Sequence, residues 1–91
     1  MKIYAVIVID HTIKEKVELE FASKNYNEAV KKALAIRKDM LEHLQFNYPK
    51  RSFNSTTKFY DDLTLKKIYI KEQKRKQKPI FTIEVDSCDL Q

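Results

Sequence analysis

The stretch from Asn25 to Leu44 constrains this chain more than any other, because it reads as one amphipathic helix long enough to need a large apolar partner. At about 100° per residue, Ala29, Val30, Ala33, Leu34, Ile36, Met40, Leu41 and Leu44 share an arc of about 160°, with Glu28, Lys31, Lys32, Lys38, Asp39 and Glu42 opposite. Asn25 suits an N-cap, and Glu28 three residues on completes an asparagine version of the capping box. Arg37 falls within the apolar arc and reads as a structural residue that carries its charge out along the edge of the packed face.

The flanking segments supply the partner. Lys2–Asp10 predicts a strand apolar on both faces, which belongs inside a sheet. After a turn at His11–Lys14, Glu15–Ala22 alternates, with Val17, Leu19 and Phe21 expected inward. Leu63–Lys71 predicts a third strand with Ile68 and Ile70 inward, and its broken alternation between Leu65 and Ile68 predicts a bulge. Pro79–Asp86 predicts a fourth, with Phe81, Ile83 and Val85 inward and proline at its tolerated first position. The expected fold is α+β, ββαββ, with one helix on a four-stranded, mostly antiparallel sheet in a single domain, 1–91. The segment 45–62 shows no clean period and reads as a long aromatic-basic loop, 72–78 as a basic hairpin tip, and 87–91 as a frayed tail.

One helix covers one face. The face expected to remain open carries Tyr4, Val6, Val8, Ile80 and Tyr69, and calls for the aromatic loop, a second copy of the chain (a homodimer) or another partner.

Several classes are excluded. With no glycine in the chain, phosphate-cradling glycine loops cannot form, and tight turns need longer loops or Asn and Asp at positive φ. Cys88 is the only cysteine, so there is no internal disulfide and no multi-cysteine zinc site. A hydrophobic fraction of 43% argues against disorder, and the longest apolar run, Tyr4–Ile9, is too short to span a membrane. A non-enzymatic cytoplasmic protein without cofactor or metal is expected. His11 and His43, with Asp10 and Asp39, are the one conceivable metal set, and Asp39 and His43 equally suit an ordinary i, i+4 helix pair.

Charge supplies the functional lead. Of 18 Lys and Arg, ten lie between Lys50 and Lys78 against three acidic residues, a local net of +7. Lys66, Lys67, Lys71, Lys74, Arg75, Lys76 and Lys78 are expected on a two-stranded ribbon and its tip, a shape that fits a major groove. The same lysines also serve to protect a hairpin edge from aggregation. Tyr48, Lys50, Arg51 and Phe53, together with Phe46, Lys58, Phe59 and Tyr60, combine stacking rings with cations and suit unpaired bases or a protein pocket; rings that merely complete the core are the competing reading. The expected partner is nucleic acid or an acidic protein or nucleoprotein surface.

Lys2–Val6 with Val17–Glu20, then Ser23 and Glu28–Ala33, resemble the hairpin-then-helix start of small phage and plasmid accessory proteins, over about the first 40 residues. That resemblance rests on general strand and helix patterning and singles out no family. It implies the alternative role of a protein that inhibits a host defence complex, of CRISPR or restriction type, by protein–protein binding.

Overall fold

The computed structural model describes residues 1–14, 16–59, 65–73 and 79–89. Five strands and one helix run in the order β1 (Lys2–Asp10), β2 (Lys16–Ser23), α1 (Tyr26–Asn47), β3 (Phe53–Phe59), β4 (Leu65–Glu72) and β5 (Phe81–Asp89). They form one antiparallel sheet of order β2-β1-β5-β4-β3, crossed by the helix so that α1 touches every strand. The class is α+β as expected, with five strands in place of four. No helix among the described residues is long and apolar enough to cross a membrane.

The additional strand, β3, lies within the stretch read as loop. It reads Phe-Asn-Ser-Thr-Thr-Lys-Phe, and its half-buried positions are Phe53, Ser55 and Thr57. On this edge strand two of the three inward residues are hydroxyl side chains, so the period of two does not show in hydrophobicity. The real connection is the short turn 48–52. Pro49 ends the helix by forcing Tyr48 out of the α region, at φ −131 and ψ 70. The Gln45 amide then donates to the carbonyls of Pro49 and Arg51 at 3.4 and 3.1 Å.

At the other end of α1, the Asn25 side chain accepts from the amides of Asn27 (2.8 Å) and Glu28 (3.4 Å). The capping box closes through Ser23: its hydroxyl donates to Glu28 at 2.7 Å and accepts from the Asn25 amide at 3.0 Å. Ala29 and Ala33 are fully buried, and Val30, Leu34, Ile36, Met40 and Leu41 pack against the core, as the wheel requires. Arg37 is half-buried, with no carboxylate partner among the described residues.

The facing of β1 and β2 departs from expectation. Val6 and Val8 lie under the helix with Ile68, Ile70, Ile83 and Val85, and Tyr4 packs edge-on against Tyr26 at 5.4 Å. Ile3, Ala5, Ile7 and Ile9 therefore line the uncovered face. With both sides of β1 apolar, nothing in the strand itself distinguishes them. In β2 the pairing passes from Val6↔Phe21 to Ile7↔Leu19, so Glu20 is an extra residue. This bulge turns Phe21 toward the helix and sends Val17 and Leu19 to the uncovered face, where they are 60% and 66% exposed. The bulge expected between Leu65 and Ile68 is present: Lys58 pairs with Lys67 and Phe59 with Leu65, leaving Lys66 as the extra residue.

Two smaller expectations also change. The positive φ in the first turn belongs to Lys14 (41°), and Cys88 and Asp89 are paired strand residues opposite Ile3 and Lys2. Residues 90–91 of the expected tail lie outside the described residues.

Candidate nucleic-acid interface

In antiparallel strands, directly paired residues share a face and their neighbours take the opposite one. Phe53 pairs with Glu72 on the helix side, and Asn54 pairs with Lys71 on the uncovered side. This alternation splits the expected aromatic-basic site in two.

The rings go to the helix side, at one end of the sheet. Arg51 reaches Glu72 as a fork, Nε at 2.9 Å and Nη2 at 2.6 Å from the two carboxylate oxygens. Its guanidinium lies over the rings of Tyr48 (4.8 Å) and Phe53 (5.4 Å), which are themselves 6.3 Å apart. Hydrogen bonding to Glu72 pushes the arginine pKa further up, so the guanidinium keeps its charge at any working pH. The expected free cation of the loop is thus already neutralised, and Phe53 belongs to the packed edge of the core. Tyr48 and Lys50 remain exposed in the turn. Phe46 and Phe59 are also exposed, at 85% and 49%. Tyr60 lies outside the described residues.

The cations go to the uncovered face. Here β4 presents Lys67, Tyr69 and Lys71, and their partners on β3 are Lys58, Thr56 and Asn54. Lys71 Nζ stands 5.6 Å from the Tyr69 ring centroid. Lys67 is bonded across the sheet to Glu84 at 3.1 Å, which holds its pKa up. Lys58, directly opposite Lys67, is exposed. Like charges in register repel, and an anion laid between them relieves the cost. Lys66, in the bulge, is close enough to Asp86 to act on its carboxylate.

Among the described residues β4 and β5 are not a free two-stranded ribbon, because β3 flanks β4 and β1 flanks β5. Five strands at about 4.8 Å make a surface about 20 Å across, too wide for a major groove of about 12 Å. Lys74, Arg75, Lys76 and Lys78 lie outside the described residues.

The two histidines are separately engaged. His11 Nε2 is 2.7 Å from Thr82 Oγ1, and His43 Nε2 is 2.8 Å from Asn47 Nδ2. Among the described residues no three His, Cys, Asp or Glu side chains gather at a spacing that would hold a metal.

Tyr69, Thr56 and Asn54 were not singled out from the sequence as binding residues. The signal that finds Tyr69 is the alternation Lys67-Tyr69-Lys71, a solvent-facing row visible once Ile68 and Ile70 are assigned inward, whereas Thr56 and Asn54 are found only through the pairing of β3 with β4. No family model, no curated protein and no solved structure matches the chain.

Proposed function

We propose that this chain is a non-enzymatic cytoplasmic binding protein that lays a single strand of nucleic acid across the uncovered face of β3 and β4. The observation that carries the reading is the six-residue patch of Lys58, Thr56 and Asn54 opposite Lys67, Tyr69 and Lys71, with a stacking ring among cations and no carboxylate in either row. An open sheet with an aromatic residue and flanking lysines suits unpaired bases, because the ring stacks on any base while the lysines follow the phosphates. Lysines position a backbone more than they read bases, so sequence preference is weak.

The test is fluorescence anisotropy with labelled single-stranded oligonucleotides over a range of salt. Changing Lys58 and Lys71 together to Glu leaves the Lys67–Glu84 pair in place and lowers the slope of log K against log salt by about 1.4, two contacts at about 0.7 each. Tyr69→Ala weakens binding by about 1–3 kcal/mol at every salt concentration. An unchanged slope in the double variant sinks the proposal.

A second reading is favoured by the other half of the same face, where Val17 and Leu19 stand exposed beside Ile7 and Ile9. An apolar strip of this kind suits a protein contact, with a second copy of the chain or with a host defence complex that the protein blocks. Leu19→Glu separates the readings: it leaves oligonucleotide affinity unchanged under the first and abolishes self-association or partner capture under the second.

A further inference from the structure

At the end of the sheet, where α1 finishes, a cleft of about 690 Å³ opens between α1, β3, β4, β5 and the turns beside them. This volume lies within the range of small-molecule sites, about 300–1,000 Å³. Tyr48, Phe53 and Phe81 line its walls, Arg51 and Glu72 supply a polar pair, and His11 and Thr12 border it from the turn after β1.

We infer that this cleft receives one unpaired nucleobase, a neutral planar ring with a polar edge. The choice of ring chemistry rests on the nucleic-acid reading above; the cleft itself does not involve the lysine patch, which lies on the opposite face.

Three observations select the occupant. First, the cation that would attract a free anion is already spent. Arg51 is forked to Glu72 through two hydrogen bonds, so the pair offers a neutral, fixed hydrogen-bonding wall. Second, the guanidinium lies over the rings of Tyr48 and Phe53, 4.8 and 5.4 Å from their centroids, and arginine planes stack bases as aromatic rings do. Third, the polar wall of the cleft is the Arg51–Glu72 pair, and a purely hydrocarbon occupant would strip water from it without offering hydrogen bonds in return. A base has apolar faces for the rings and donors and acceptors on its edge for the Arg51–Glu72 pair. The His11 ring is not part of this edge: its Nε2 is 2.7 Å from Thr82 Oγ1 on the uncovered face, and His11 borders the cleft from the turn, where its backbone amide is bonded to the Ile80 carbonyl at 3.0 Å.

The site is preformed. The Arg51–Glu72 fork needs no partner to assemble it, and the turn carrying Arg51 is tied to the helix by Gln45. Ordering costs on binding are correspondingly low.

The experiment is a two-dimensional amide NMR titration of the whole chain with the four neutral ribonucleosides, and with inorganic phosphate and ribose as controls. Saturable shifts are expected at Thr12, Arg51, Phe53, Glu72 and Phe81 with at least one nucleoside and with neither control. Thr12→Trp, at an exposed turn position, fills the mouth and weakens nucleoside binding by about tenfold or more, equivalent to about 1.4 kcal/mol. Tyr48→Ala removes one ring of the wall at an exposed position and serves as the second variant, with the same direction expected. An absence of saturable shifts at these amides overturns the inference, as does nucleoside affinity unchanged in both variants, or a response to phosphate alone. Failure of the lysine-patch reading looks different: oligonucleotide binding is then insensitive to Lys58→Glu with Lys71→Glu, while the nucleoside shifts persist.

Discussion

Single residues on the uncovered face carry opposing demands of stability and binding. Asp86 shows this most directly. Burial pushes its carboxyl pKa above the ordinary aspartate value of 3.8, neighbouring Glu84 adds to the shift, and Lys67 and Lys66 oppose it. The folded chain therefore holds this proton more tightly than the unfolded chain, and stability falls as pH rises from 3.8 through the raised folded value. Asp86→Asn should be more stable than the parent at neutral pH, with a flatter dependence between mildly acid and neutral pH; urea unfolding at several pH values checks both. A parent no less stable than the variant at neutral pH would remove the burial argument. Under the helix the demand is simpler. Ile68 is fully buried beneath α1, and Ile68→Ala should cost about 2–5 kcal/mol in the same assay, since the surrounding strands cannot collapse into the space.

Among the elements, β2 is the one whose behaviour departs most from its own pattern. Val17, Leu19 and Phe21 look like one inward row, yet Glu20 is inserted between two sets of pairs and sends Phe21 one way and Leu19 the other. Deleting Glu20 restores strict alternation without moving any other side chain to the wrong face. The deletion variant should therefore fold with its stability changed by only about 1 kcal/mol, whereas deleting a residue from an unbulged strand would turn one half of it inside out. Thermal unfolding decides this, and gross destabilisation would show that the bulge is elsewhere. The same variant should associate more readily, because a bulge is one of the devices that keeps an edge strand from pairing with another chain.

At the scale of the whole molecule, the sheet divides binding chemistry between its two sides. Cations and Tyr69 are on the uncovered face, while Tyr48, Arg51 and Phe53 form the wall of a cleft on the helix side. A chain that uses both should show oligonucleotide binding with two separable parts: a salt-sensitive part lost with Lys58 and Lys71, and a salt-insensitive part lost when Thr12→Trp blocks the cleft. Measuring both variants with the same oligonucleotide at about 50 and 200 mM salt tests this division.

Much of this was legible in the residues. The helix, its N-cap, its buried stripe, the inward rows of β4 and β5 and the bulge at Lys66 all follow from local spacing, because each depends only on side chains a few positions apart. The concentration of positive charge between Lys50 and Lys78 is likewise a property of the sequence alone. Pairing across the sheet decided the rest. β3 stayed hidden because Ser55 and Thr57 take inward positions without an apolar signal. The faces of β1 were interchangeable until β5 and the helix chose between them. Arg51 read as an available cation until the turn at Pro49 brought Glu72, 21 residues away, within 2.6 Å of it. Register between strands distant in sequence is a tertiary quantity, and it fixed which of these side chains could meet a ligand.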